Sequence, residues 1–317
     1  TKQLENIHQI FMERREKDAK ASAERADGLI QEWMLNWHYQ DQQGDTPYPA
    51  GQPHNFNQYE GPQQVGDWFR WMTDLSYPAY FPDELTEPFE RMSLEHDRRI
   101  LDEAGIDFDF TTYRSVGRAN AQDFVFQNLY PCPERQAISR VLDFGAGWGR
   151  QSNLWSQQRS ESLIMLAMEA VPQSYCVQNF YYAANDIPFQ DYITSGELNI
   201  SGDRPGIYHC PTWRWDLVPS NFFDLVICCQ VLPELSPNLA HFAVQLFLQV
   251  LKPGGALYIR DHDQAFNPSG IDLNAYLREQ GFVLEFRPHV IDRDEIHGIP
   301  RIWRKPEPRV AAAVQPG

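Results

Sequence analysis

From Val141 to Arg150 the chain reads VLDFGAGWGR, an apolar run that closes on Asp143 and passes into glycines at 145, 147 and 149. No other feature restricts the fold as strongly. An apolar strand that ends in a glycine-rich turn brings bare backbone close to whatever the turn faces, and a helix normally follows it. After Gln136 the texture agrees, because short apolar runs (RVLDF, SLIMLAM, FFDLVICC, GALYIR) alternate with helical stretches. Two weaker strands, FVLEFRP and GIPRIWR, come last. Strands separated by crossover helices belong to a parallel sheet covered on both faces, so the expected class is α/β, a doubly wound Rossmann-like sheet. The helix expected over Asn238 to Leu251 should end at KPGG.

The turn narrows the ligand. A dinucleotide fingerprint needs G-x-G-x-x-G, and the position that would carry its last glycine holds Arg150. No Lys-Ser/Thr pair follows for a nucleotide phosphate, and bulky Trp148 sits inside the loop. NAD and FAD are therefore disfavoured. Nucleic acid is disfavoured by charge, since 43 acidic against 27 basic residues leave the 317-residue chain at −16, and a phosphate backbone is bound through clustered Lys and Arg.

The segment D-x-G-x-G-x-G resembles motif I of the class I S-adenosylmethionine-dependent methyltransferases, and the likeness continues in order over residues 136 to 304. Glu169 follows SLIMLAM where that family places the acidic residue that holds the ribose hydroxyls. Phe223, Asp224, Leu225 and Val226 match the F-D-x-V strand, with Gln230 to Glu234 as the substrate-facing loop beyond it. The L-K-P-G-G turn is present as Leu251 to Gly255. The resemblance implies S-adenosyl-L-methionine as cofactor, bound by Asp143, Gly145, Ala146, Gly147, Glu169, Ala170, Asp216 and Gln230. Asp143 faces the methionine end, while Glu169 accepts from two hydroxyls. Ala170 and Val171 flank the adenine, and Asp216, with Thr212 as the alternative, meets its amino group. The loop would offer exposed backbone amides to a ligand that carries a sulfonium and an amino-acid end.

For transfer to a hydroxyl a base is needed, and GALYIR runs directly into Asp261-His262-Asp263 at a strand end where reacting groups gather in such sheets. His262 is the first choice, oriented by Asp261, Asp263 or Glu234. His297 and His209 are the alternatives. Carboxylate and imidazole could also take Mg or Mn, yet three consecutive residues cannot all point one way along a strand, so no metal is assigned.

Residues 1–135 read as a helical lid or substrate-specificity region and 136–317 as the transferase domain. Helices are expected over Gln3 to Gln43, around Leu29 to Trp37, and from Glu84 to Ala104, with a loop from Gly44 to Gly66. The aromatics Trp68, Phe69, Trp71, Tyr77, Tyr80 and Phe81 form either this region's own core or one wall of an acceptor pocket. The acceptor then is a small molecule, a sugar or polyketide-like natural product, either free or tethered to a carrier as in a modular synthase. A chain beginning at Thr1 rather than Met fits processing, trimming or excision from a longer polypeptide. A non-catalytic cofactor-binding protein of the same fold is the reading from another class. Five cysteines without a C-x-x-C pair read as a reduced, cytoplasmic protein. No apolar run approaches the roughly 20 residues of a membrane span. The N-terminal helix is a candidate surface for a homodimer.

Overall fold

The computed structural model describes residues 2–24, 65, 66, 69, 80–110, 115–129, 138–159, 161–200, 204–261, 271–288 and 298–307. Its centre is an eight-stranded sheet: β1 (Arg140–Phe144), β2 (Ile164–Glu169), β3 (Phe189–Asp191), β4 (Gly206–Pro211), β5 (Phe223–Cys229), β6 (Leu251–Asp261), β7 (Val283–Phe286) and β8 (Ile299–Arg304). The order is β3-β4-β2-β1-β5-β6-β8-β7. Strands β1 to β6 run parallel, and β8 lies antiparallel between β6 and β7. This is a doubly wound, Rossmann-like sheet with β3 at one edge.

The four runs picked out by hydropathy became β1, β2, β5 and β6, and the two weak ones became β7 and β8. GIYHCP, now β4, and the three-residue β3 carried no apolar run clear enough to pick out. KPGG does not form a separate turn. Strand β6 starts at Leu251, and the register jumps from Phe223↔Leu251 to Leu225↔Ala256, so Lys252 to Gly255 bulge out opposite Asp224. Asp224 has its own task at that edge, accepting from the amides of Ser139 and Arg140 at 3.0 Å each, which sets the start of β1 against β5.

Helices α1 (Lys2–Glu24), α2 (Asp83–Glu103), α3 (Ser115–Leu129), α4 (Arg150–Arg159), α5 (Pro172–Ala184), α6 (Tyr192–Ser195), α7 (Pro237–Val250) and α8 (Leu273–Glu279) complete the described elements, with two 3₁₀ turns at Thr212–Leu217 and Leu232–Glu234. Side-chain alternation divides the sheet into two faces. One carries Phe144, Cys228, Leu257 and Ile259, and α7 covers it, its Phe247 ring 5.0 Å from Phe144. The other carries Val141, Met165, Ile227 and Tyr258, and is covered by α3 and α4 through Phe124, Phe126, Leu154 and Trp155. Adjacent Cys228 and Cys229 thus point to opposite faces; Cys228 is buried and Cys229 half-buried.

The N-terminal region does not stand apart. Phe126 of α3 packs on Tyr258 of β6 at 5.5 Å, and Gln127 accepts from the Trp155 indole at 2.8 Å. The expected boundary at 135/136 thus runs through a shared core. Helix α1 is described to Glu24, and the rest of the helical stretch expected to Gln43, the helix at Leu29 to Trp37 and most of the Gly44 to Gly66 loop lie outside the described residues. The apolar stripe of α1 is buried in its own chain, with Phe11 between Tyr175 (5.1 Å) and Trp213 (5.3 Å). Asp18 further accepts from the Trp213 indole at 3.1 Å. Leu4, Ile7 and Phe11 therefore already have a partner surface within the chain.

Candidate active site

The site is built at the carboxyl ends of β1, β2, β5 and β6. At the end of β1 the chain turns through three left-handed glycines, and each needs to be glycine for a different reason. A side chain on Gly145 (φ +70°) would meet Val231 at 2.2 Å, and one on Gly149 (φ +80°) would strike Gln178 and Tyr182 of α5 at 2.8 Å. At Gly147 (φ +55°) a Cβ would meet nothing within 4 Å. Gly145 and Gly149 thus allow packing inside the protein, whereas Gly147 borders open space, as expected where backbone approaches a ligand.

The loop amides differ from the sequence expectation. The N–H groups of Gly145 and Ala146 both donate to the carbonyl of Met168, at 2.9 and 3.0 Å, and that of Gly147 donates to Glu169 at 2.8 Å. They are not exposed donors waiting for a ligand. Their bonds instead lock the turn onto the end of β2, and the Gln178 amide holds the Gly147 carbonyl at 3.0 Å.

Glu169 is buried at the end of β2. Its Oε1 accepts from Ala170 N (2.8 Å) and Val171 N (2.9 Å), and its Oε2 from Gly147 N (2.8 Å). A carboxylate offers about four lone-pair directions, so about one is left over. Holding two ribose hydroxyls at once therefore does not fit this arrangement; one hydroxyl does, and a second requires Gly147 N–H to let go. Burial pushes the Glu169 carboxyl up to about 7, against the three amides that favour its charge. Asp143 is likewise buried, accepts from Ser152 of α4 at 3.3 Å, and is pushed up to about 7 by burial, with Ser152 opposing and the Glu169 and Asp123 charges reinforcing the shift. Both carboxylates lie on the α3/α4 face of the sheet.

Asp216 is exposed in the 3₁₀ turn after β4, where Arg214 grips it with two bonds of 2.8 and 2.9 Å. Its role as adenine partner would require displacing Arg214; Thr212, at the start of that turn, is buried. Gln230 follows β5 with φ +56°, an unusual conformation for a non-glycine residue, and its amide donates to the Arg260 carbonyl at 2.9 Å. Val231, beyond it, is the side chain that leaves no room at Gly145.

At the end of β6, Asp261 is fully buried on the Ile259 side of the sheet, and both its carboxylate oxygens lack a hydrogen-bond partner among the described residues. Burial pushes it up to about 7, against the pull of Arg301, Arg260 and the Gln230 and Leu232 amides. Arg260 points to the other side, where Asp123 of α3 takes its guanidinium at 2.7 and 3.0 Å and also accepts from the Tyr258 hydroxyl at 2.5 Å. Glu234 closes the 3₁₀ turn after β5, and its side chain lies outside the described residues, as do His262, Asp263 and His297. His209 is described, and it is no base: it is fully buried in β4, its ring stacked 3.6 Å from Tyr175, and burial pushes it down to about 4.

Two contributors, Ser152 and Gln122, had no sequence signal, while Phe69, Tyr80 and Phe81 were among the aromatics singled out. Ser152 on Asp143 could have been read only with α4 in place. Gln122 of α3 accepts from the amides of Tyr80 and Phe81 at 3.0 and 2.9 Å, and the Tyr80 hydroxyl reaches the Gly298 carbonyl at 3.5 Å, so two of the N-terminal aromatics close over the β6/β8 end. Phe69 lies 4.7 Å from Trp148 of the glycine loop.

No family model and no curated protein matches the chain. Among solved structures it is similar to the N-methyltransferase NodS from Bradyrhizobium japonicum WM9 in complex with S-adenosyl-L-homocysteine (14% identity over 77% of this chain and 99% of that one, TM-score 0.39). It is also similar to the cyclase SpnF (13%, 69% and 97%, TM-score 0.44) and to CrArsM, an arsenic(III) S-adenosylmethionine methyltransferase from Chlamydomonas reinhardtii (18%, 58% and 73%, TM-score 0.37). Strand order, the antiparallel β8 and the locked glycine turn beside Glu169 together give this chain the class I methyltransferase fold.

Proposed function

We propose that the protein is an S-adenosyl-L-methionine-dependent methyltransferase that acts on a hydroxyl of a small molecule, a sugar or polyketide-like natural product, free or carrier-tethered. The observation that carries this reading is Gly147: the one loop glycine facing open space sits hydrogen-bonded to the buried carboxylate at the end of β2. When bound, the cofactor supplies a methyl group on a sulfonium leaving group. The chain's residues do the rest. Glu169 accepts from a ribose hydroxyl, and Asp143 offers negative charge to the cationic end. Tyr80 and Phe81, pinned by Gln122, wall off water on the acceptor side. His262, next after Asp261 in the chain, takes the hydroxyl proton as the acceptor oxygen attacks.

Calorimetric titration with S-adenosylhomocysteine tests the cofactor assignment. Wild type should bind it, and Glu169→Gln should weaken binding by roughly 10- to 100-fold, the equivalent of one charge-assisted hydrogen bond of about 1.5–3 kcal/mol. Unchanged affinity in Glu169→Gln would leave Glu169 as a structural clasp for three amides. For the base, radiolabelled methyl transfer to a screened set of alcohols should show kcat lowered by about 10²- to 10⁴-fold in His262→Ala, with affinity for S-adenosylhomocysteine kept.

A further inference from the structure

The glycine loop ends in Arg150, the residue that spoils a dinucleotide fingerprint, and the fold puts it to a particular use. Its Nε lies 3.1 and 3.3 Å from the two oxygens of Asp97 in α2, and both side chains are buried. The guanidinium stacks 4.6 Å from the Trp148 ring and 5.3 Å from Phe69, whose own ring lies 4.7 Å from Trp148. Next to this pair the His96 ring nitrogen meets the Asn153 amide at 2.6 Å. The two large residues of the loop thus both touch the N-terminal region, Trp148 through Phe69 and Arg150 through Phe69 and Asp97, while Gly147, just before Trp148, has open space at its Cβ position.

We propose that Asp97 and Phe69 are positioning residues for the cofactor loop: acting through Arg150 and Trp148, they hold the Gly145–Gly149 turn in its binding conformation without touching the ligand. The physical argument concerns strain and choice. Three consecutive left-handed glycines separated by single residues form a turn with many accessible alternatives in a free chain, because glycine adopts either sign of φ at no steric cost. The amides of Gly145, Ala146 and Gly147 tie one side to β2. On the other side the Gln178 amide holds the Gly147 carbonyl and Gly149 N–H donates to the Ala146 carbonyl, and the clamp on Trp148 and Arg150 adds the side-chain contacts that narrow the turn's choice further. A buried guanidinium–carboxylate contact, here with the Arg150 Nε–H shared between both Asp97 oxygens, is directional and is not reproduced by Lys, whose ammonium is a point charge. Ligand affinity is reduced by the fraction of molecules whose turn is in the wrong state, so releasing the clamp should weaken binding although no contact to the ligand is lost.

The inference rests on the reading of this loop as a cofactor site, and its test separates the two. S-adenosylhomocysteine is titrated into the full chain carrying Asp97→Asn, Phe69→Leu, Arg150→Lys, Arg150→Met, and the double variant Asp97→Asn/Arg150→Met, with the melting temperature of each ligand-free protein recorded in parallel. Asp97→Asn and Arg150→Lys should each weaken binding by about 5- to 30-fold and Phe69→Leu, the mildest change, by several-fold. In the Arg150→Met background, Asp97→Asn should cause no further loss of affinity, since its influence passes through Arg150. Affinity within twofold of wild type in Asp97→Asn and Phe69→Leu, with only the melting temperatures lowered, would overturn the proposal and leave the cofactor reading standing. Additive losses in the double variant would overturn the route through Arg150. If wild type itself binds no S-adenosylhomocysteine, the cofactor reading fails and this inference with it.

Discussion

The two faces of the sheet are held by different physics. On the α7 side the contacts beneath the helix are apolar, Phe144 against Phe247 with Val226, Leu257 and Ile259, and the buried charges Asp261 and Arg301 sit at the β6/β8 end. On the α3/α4 side the apolar core is threaded by buried polar pairs, Asp123 with Arg260 and Tyr258, Asp97 with Arg150, Gln127 with Trp155, and Asp143 with Ser152. Apolar packing is non-directional and tolerates substitution of similar volume, whereas a buried ion pair has one satisfactory geometry and a large penalty when half of it is removed. The directional pairs join the N-terminal region to the strand ends that form the site. What looked in sequence like a lid is one layer of the sandwich, and it shares buried charges with the glycine loop and with β6.

The comparison is broken most severely by cutting it. Residues 136–317 on their own should fail to give a cooperative melting transition, because removal of α2 and α3 uncovers Trp155, Tyr258 and the part of the sheet face that α3 covers; calorimetry of that fragment beside the full chain checks this. A sharp two-state transition in the fragment would restore the division at 135/136.

Next in size is Asp123→Ala. It leaves Arg260 buried without its carboxylate and frees the Tyr258 hydroxyl, so about 3–5 kcal/mol of stability should be lost in urea titration. On the other face, Leu246→Met, a swap of similar volume, should cost less than about 1.5 kcal/mol. Similar losses at the two positions would erase the contrast.

The buried carboxyls set a smaller, pH-dependent effect. Asp143, Glu169 and Asp261 have folded-state values of about 7, above their unfolded ones, so the folded protein keeps protons that the unfolded chain releases. Stability from each is therefore greatest at low pH and declines with rising pH up to about 7, by up to about 1.4 kcal/mol per pH unit. Two histidines act in the opposite sense. Burial pushes His96 and His209 down to about 4, so their contribution rises with pH until the unfolded value near 6.5 is passed. They offset two carboxyls below pH 6.5 and none above. The fall in the melting temperature of the ligand-free protein should therefore be steeper in the interval around pH 7 than near pH 5, and Asp261→Asn should shrink it. A melting temperature that rises through that interval would contradict the assignment.

The smallest effect on folding separates the ligand-facing glycine from an ordinary one. Gly105 (φ +68°) at the end of α2 and Gly147 (φ +55°) both have room for a Cβ, so Ala at either should cost about 1–2 kcal/mol through backbone strain alone. Only Gly147→Ala should also remove binding of S-adenosylhomocysteine. Equal affinity in the two variants would move the binding surface away from the loop.

Much of this architecture was legible before any coordinates. Hydrophobic periodicity located six strands and helices α2 and α7, all within a residue or two except the start of β6, which lies four residues earlier, because each is a local pattern: RVLDF is β1 in full, and Ser236, capping Leu239 N at 3.3 Å, starts α7 one residue before the expected helix. Strand β4 was missed because GIYHCP carries a buried histidine whose burial depends on stacking with Tyr175, a partner 34 residues away. His209 was for the same reason kept as a base when it is a core residue. The exposed loop amides and the two-hydroxyl role of Glu169 came from the motif, which fixes which residues are present but not how many bonds they have already made.

By itself the sequence determined the order of strands and helices, the glycine turn and its acidic residue at the end of β2, since these follow from local conformational preference and from the spacing of apolar side chains. Tertiary structure alone decided that Gly147, and not Gly145 or Gly149, borders open space, that Arg150 belongs to Asp97, and that α3 packs on β6 with α2 against α3. These depend on groups tens of residues apart meeting at one distance and angle, and no local pattern encodes a meeting of that kind.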